Sequence, residues 1–300
     1  MVFLYFLLTT ILILASLILT VVHLGFRAPR NREKGNPGDI GMDFIQVEIP
    51  AISGKKLSGW LLAVENSTES IVIIHGWGGN AELMIPIAAP FYRSGINVLL
   101  VDARNHGNSE SDSFSSMPRF AEDLGFSINW LKLHYPDRVN KIALLGHSVG
   151  AAAALLEASN RSDIDAVISV SAFAHPECMM RRYLKKLHIP GLIIQLIFRY
   201  IEWVIGHKFY AIAPLNTVCK ISCPILLIHG KNDSTVPIED ARAILKQCPG
   251  SLISLLEIEG AGHDSVDQIE KHSHKLINFL STSGFVAEYQ PVYVNAVSKL

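Results

Sequence analysis

Eight short apolar runs punctuate the chain, and their alternation with helical segments constrains the fold more than any other feature. The runs are Phe44–Ile49, Leu57–Val64, Ile71–His75, Ile96–Val101, Lys141–Leu145, Ala166–Ser171, Pro224–His229 and Leu252–Ile258. Several, such as IVIIH, INVLLV and PILLIH, are continuous hydrocarbon rather than alternating, as strands covered on both faces require. Between them lie Ala81–Arg93, Pro118–His134, Val149–Ala158, Ile238–Gln247 and Val266–Leu280, which carry helical character. Strand and helix in strict succession imply right-handed crossovers. The prediction is an α/β fold: a mostly parallel eight-stranded sheet flanked by helices. The first two runs, joined around Ser53–Lys56, read as an antiparallel hairpin at one edge.

The rhythm breaks once. From Ala172 to Ser222 no strand pattern appears, and MMRRYLKKLHIPGLIIQLIFRYIEWVIGHKFY reads as an inserted helical cap. Residues 43–282 therefore form the main domain, with 172–222 as its cap, and 283–300 form a C-terminal tail. Residues 26–42, FRAPRNREKGNPGDIGM, are rich in Pro, Gly and charge, the composition of a linker.

Ahead of the linker, Val2–Leu24 is almost unbroken hydrocarbon without a charge, and it accounts for the mean hydropathy of +0.30. At about 1.5 Å per residue it would make a helix of roughly 35 Å, enough to cross a bilayer core. Residues 1–25 are therefore expected to be a single transmembrane anchor. A cleaved signal peptide is the rival reading; the segment lacks a basic n-region and an Ala-x-Ala site and exceeds the usual apolar length. Arg27, Arg30, Arg32 and Lys34 follow it, and by the positive-inside rule the large domain is expected in the cytoplasm.

A formal net charge of -1 with no long basic block excludes an electrostatic nucleic-acid binder. The four cysteines, Cys178, Cys219, Cys223 and Cys248, form no CxxC pair and have no paired histidines beside them, so no zinc site is expected. A domain this large does not need disulfides, and the expectation is free, mostly buried thiols.

The chemistry resides in four loops. Gly146-His147-Ser148-Val149-Gly150 sits between the strand KIALL and the helix-forming AAAALLEA. A serine on a sharp strand-to-helix turn needs small residues two positions either side, and the turn lifts its Oγ above the C-terminal edge of the sheet. His75-Gly76-Trp77-Gly78-Gly79-Asn80 follows the strand IVII, where the amide of Trp77 could join that of Val149 as an oxyanion hole. His75 itself reads as a structural, hydrogen-bonded residue. Asp233 lies just past PILLI, on a loop from which a carboxylate can hold a histidine in one tautomer, and His263, in Gly260-Ala261-Gly262-His263-Asp264, follows the last strand. Among the nearby acids, Glu239 and Asp240 open a helix, where the dipole favours them. Asp264 is expected to point away from the preceding histidine, and Asp267 is a further neighbour. His272 and His274 are expected to face solvent.

Taken in order, these motifs resemble the α/β-hydrolase superfamily, in particular its serine aminopeptidase and monoacylglycerol-lipase-like esterase branches. The resemblance runs from Phe44 to Ser281 and includes Asp102-Ala103-Arg104-Asn105-His106-Gly107-Asn108-Ser109, similar to the family's D-x-R-x-x-G-x-S loop, in which Asp102 and Arg104 are expected to be structural. It implies ester- or amide-type hydrolysis by Ser148 as nucleophile, His263 as base and Asp233 as orienting acid, and it names no substrate. An acyl-enzyme route needs no metal or organic cofactor. In the cap, Leu192–Ile205 is strongly apolar, with Gln195, Arg199 and Glu202 as its polar members. Such a helix could line an acyl pocket, touch a membrane surface or pack on the main domain. Together with the anchor, it inclines the reading towards lipid-like esters. A peptidase or thioesterase with the same triad, and an idle membrane-bound binding protein, are the alternatives.

Overall fold

The computed structural model describes residues 1–185, 187–249 and 252–286; within the first helix, nothing is said of the side chains at 11, 14, 15 and 18. Eight strands form one sheet in the order β1-β2-β4-β3-β5-β6-β7-β8. They are β1 (Ile45–Pro50), β2 (Lys56–Leu62), β3 (Glu69–Ile74), β4 (Asn97–Val101), β5 (Lys141–His147), β6 (Ala166–Val170), β7 (Ile225–Gly230) and β8 (Ile253–Ile258). Each coincides with one of the eight apolar runs. β1 pairs antiparallel with β2, and β2 antiparallel with β4; all later pairings are parallel. The hairpin closes where Ser53 and Gly54 both take positive φ.

The helices are α1 (Val2–Gly25), α2 (Ile85–Arg93), α3 (Met117–His134), α4 (Val149–Asn160), α5 (Pro176–Lys185), α6 (Gly191–Ile205), α7 (Phe209–Ile212), α8 (Pro214–Thr217), α9 (Ile238–Gln247), α10 (Val266–Glu270) and α11 (Ser273–Thr282). The sheet separates two cores, and strand alternation assigns residues to them. From β3, Val72 and Ile74 pack into the layer of α3 and α4, whereas Ile71 and Ile73 enter the layer of α2 and α11; all four are fully buried. Burial of each such side chain stabilises by roughly 1.5–3 kcal/mol, which explains why the central strands admit no polar alternation. Helices α5–α8 fill the interval between β6 and β7, where the strand pattern lapses.

Three expectations need correction. The segment Val266–Leu280 is two helices, because the chain turns at Lys271 and His272 between α10 and α11. Cys219 and Cys248 are bridged by a disulfide, their Cα atoms 5.7 Å apart, which leaves Cys178 and Cys223 as the free thiols, one exposed and one buried. Sequence spacing did not reveal this pair because the contact joins the end of the cap to the end of α9. Residues 26–42 do not hang free: Phe26 O accepts the Ser115 amide at 2.9 Å, Arg30 donates to Ser109 O at 2.7 Å, and Asn31 donates to Gly78 O at 2.8 Å. Among the described residues no helix is long and apolar enough to cross a membrane. Of the tail, residues 287–300 lie outside the described residues.

Candidate active site

Ser148 stands between β5 and α4 with φ 55 and ψ -116, a strained conformation for a residue with a side chain. The flanking glycines make it possible. A Cβ on Gly146 would collide with the backbone of Gly150 and come within 2.6 Å of Ala151 N. On Gly150 it would strike His75 O and approach Ile74 O to 2.9 Å. The spacing read from the sequence therefore has a steric cause: helix α4 crosses the sheet at backbone contact. Its first amide, that of Val149, has no acceptor within the helix and sits beside Ser148.

Three side chains from separate loops meet at the carboxyl edge of the sheet. Ser148 Oγ lies 2.9 Å from His263 Nε2, and His263 Nδ1 lies 2.7 Å from Asp233 Oδ2. With the proton on Nδ1, the imidazole donates to Asp233 and accepts from Ser148. The other carboxylate oxygen of Asp233 accepts the amides of Thr235 and Val236 at 2.9 and 2.8 Å. Burial alone would raise the Asp233 pKa, but hydrogen bonds from His229, His263 and the Val236 amide hold it well below the usual carboxylate range. Asp233 is thus ionised wherever the protein is folded near neutrality.

Neighbouring acids occupy different places from those expected. Asp264 does not turn away: its carboxylate lies within 4.8 Å of ring nitrogens of His147 and His263, a grouping that could hold a cation. Of these nitrogens, His147 Nε2 donates to His263 O at 2.8 Å, and both ring nitrogens of His263 are engaged with Asp233 and Ser148. Asp240 is more than a helix-capping charge. It is buried, accepts the Ala174 amide and Arg182 Nη1 at 3.0 Å each, and so ties α5 to α9. His147 and His229, which hold the base loop and the acid loop, escaped the sequence reading; their contacts, across 116 residues for His147 and through a buried backbone carbonyl for His229, leave no local signature.

Trp77 lies in the turn that follows β3. The Gly79 amide donates to Gly76 O at 3.1 Å, Gly78 takes φ +70, and the loop is pressed so close that a Cβ on Gly76 would sit 3.2 Å from Ser148 Cβ. His75 is fully buried, accepts the Ala103 amide at Nε2 (3.1 Å), and has its pKa lowered to about 4 by burial, so it is a neutral structural ring. Asp102 is buried and accepts the amides of Ala81 and Asn108 at 2.7 and 2.8 Å, and Arg104 pairs with Asp123 at 2.6 Å. Both shape the loops around the site without entering it.

Above the serine lies a cavity of about 960 Å³, near the upper end for sites that enclose a whole small ligand. Ser148, Val149, Trp77 and His263 form its floor, and cap residues such as Ile197 and Ile201 its roof.

Comparison with known proteins points to the α/β-hydrolase superfamily. Residues 65–212 match the family model described as serine aminopeptidase S33. An uncharacterised protein of Bacillus subtilis is 28% identical over 228 residues, covering 73% of this chain and 74% of that protein. An uncharacterised membrane protein of Saccharomyces cerevisiae is 27% identical, covering 83% and 84% respectively. The Pyrococcus furiosus esterase superposes with a TM-score of 0.68 at 25% identity, over 85% of this chain and 96% of its own.

Proposed function

The chain belongs to the α/β-hydrolase superfamily and is a hydrolase, and on that premise we propose that it is a membrane-tethered serine esterase working through Ser148, His263 and Asp233. The observation that carries the proposal is the unbroken hydrogen-bonded line from Ser148 Oγ through His263 to Asp233. As Oγ attacks an ester carbonyl, its proton passes to His263 Nε2, and Asp233 stabilises the imidazolium. The amides of Trp77 and Val149 receive the oxyanion. The tetrahedral intermediate collapses, the C–O bond to the alcohol breaks, and the alcohol leaves with the proton from His263. Water then attacks the acyl-enzyme, gives a proton to His263, and releases the carboxylic acid as the proton returns to Ser148. Ser148→Ala is expected to abolish both labelling by a fluorophosphonate and hydrolysis of acyl esters. Retained activity would refute the assignment. A panel of acyl esters, aminoacyl amides and acyl thioesters separates esterase from peptidase and thioesterase.

The proposed tether is the segment Val2–Leu24, which carries no charge; the yeast relative is named a membrane protein. On topology, two features disagree. The basic flank after α1 favours a cytoplasmic domain, whereas the Cys219–Cys248 bridge belongs to an oxidising compartment. We give the bridge more weight and place the domain on the lumenal or exterior side. Arg30, one of the four basic residues, is in any case engaged with Ser109 O. Asn66-Ser67-Thr68 and Asn160-Arg161-Ser162 are acceptor sequences whose asparagines are exposed. Translation with microsomes is expected to yield a glycosidase-sensitive product, and an unmodified, protease-accessible domain would return it to the cytoplasm.

A further inference from the structure

The last turn of α1 does not end at the domain; it enters the substrate cavity. Val22, Gly25 and Phe26 line the same space as Ser148 and His263, with Ile201 and Ile205 of α6 also on its wall. This turn is held in place. Phe26 O accepts the Ser115 amide, and the rings of His23 and Phe26 meet Phe114 edge-to-face, with centroids 6.5 and 6.4 Å away. Val22 and Phe26 are half-buried against the larger of the two cores. Immediately beyond, Arg30 and Asn31 fasten the following strap to the loops at Ser109 and Gly78. On its other side α1 faces Tyr200, across a second cavity of about 500 Å³, so α1 and α6 remain neighbours beyond the catalytic floor.

We infer that α1 is itself a wall of the acyl pocket, and that the enzyme selects esters of long, uncharged acyl chains that extend between α1 and α6. The inference rests on Ser148 being the nucleophile and adds where the acyl chain goes. Two features favour such a chain over a polar substrate. The side chains that α1 and α6 bring to the cavity, Val22 and Phe26 with Ile197, Ile201 and Ile205, are aliphatic or aromatic, and among the described residues no lysine or arginine lines it. A charged group buried against α1 and α6 would meet no side chain there that offsets its desolvation, whereas each methylene placed against these residues is withdrawn from water. A chain that reaches α1 would also extend towards the surface from which the tether emerges, so a lipid-borne ester need not pass through bulk water.

Gly25 supplies the test. A Cβ there meets nothing within 4 Å and its φ is not positive, so a large side chain can be introduced without strain. In full-length protein in detergent micelles, kcat/KM is measured for p-nitrophenyl butyrate and palmitate. The palmitate-to-butyrate ratio is expected to fall by at least about tenfold in Gly25→Trp, the discrimination available to an apolar pocket that loses a few methylene contacts. Val22→Trp, one turn earlier, is expected to act in the same direction. A ratio unchanged in both variants, whatever their absolute rates, overturns the wall assignment while leaving the triad in place. Wild-type protein that hydrolyses neither ester overturns both readings.

Discussion

Replacing Asp233 with Asn changes the hydrogen-bonding sense of one atom and almost none of the shape, which makes it the most discriminating perturbation of the site. In the native arrangement one carboxylate oxygen accepts His263 Nδ1–H at 2.7 Å, and the other accepts the amides of Thr235 and Val236. An asparagine must keep its carbonyl oxygen on those two amides, because its NH2 group cannot accept from them. The NH2 is then presented to His263 Nδ1. Two N–H groups cannot face each other, so the imidazole carries its proton on Nε2, where it points at Ser148 Oγ and can no longer accept from it. The expected loss in kcat is about ten-thousandfold, the size measured for this swap in a comparable triad, or about 5.4 kcal/mol of transition-state stabilisation.

Stability should change with a definite sign as well. Because the folded pKa of Asp233 is depressed, its contribution is present above the unfolded value of 3.8 and is lost as pH falls through the lower folded value. The gap in Tm between wild type and Asp233→Asn should therefore be widest near neutral pH and narrow in acid. The assay is kcat for a short-chain ester between neutral and alkaline pH, with Asp264→Asn measured alongside, since Asp264 also lies close to the imidazole. A loss of less than about tenfold in a folded Asp233→Asn protein, or an equal loss in Asp264→Asn, refutes the assignment of the orienting acid.

Two further perturbations follow from close contacts. Gly150→Ala places a methyl group against His75 O and Ile74 O, and overpacking of this kind costs about 1–3 kcal/mol or more; a lowered Tm together with slower labelling of Ser148 is expected, and a wild-type Tm would show that the crossing of α4 over the sheet is looser than described. Glu33, on the strap, is pushed up to about 8 by burial and by the facing Asp102 carboxylate, with Glu82 adding to the effect. A raised acid pKa stabilises the fold below its unfolded value of 4.5, and that contribution is lost as pH rises through about 8. Glu33→Gln should therefore flatten the fall in Tm between weakly acidic and alkaline pH, and an identical pH profile in the two proteins would exclude a buried proton at this position.

Much of the fold was legible because its cause is local. Strands buried on both faces must be continuous hydrocarbon, so IVII and PILLI identify themselves wherever they sit. The serine turn was legible for a similar reason: within five residues, Gly146 and Gly150 report a backbone that passes too close for any side chain. Asp240 was misjudged because the partner that defines it, Arg182, is supplied by a different segment.

The sequence by itself determined the strand and helix succession, the sharp serine turn and the apolar character of the first helix, all consequences of periodicity and sterics within a few residues. Only the tertiary structure decided that β2 joins β4 antiparallel, that Cys219 meets Cys248, that residues 26–36 lie along the loops around Ser148, and that Val22, Gly25 and Phe26 face the cavity. Each of these is a contact between distant parts of the chain. Such contacts depend on the path the whole backbone takes around two cores, and no short stretch of residues encodes that path.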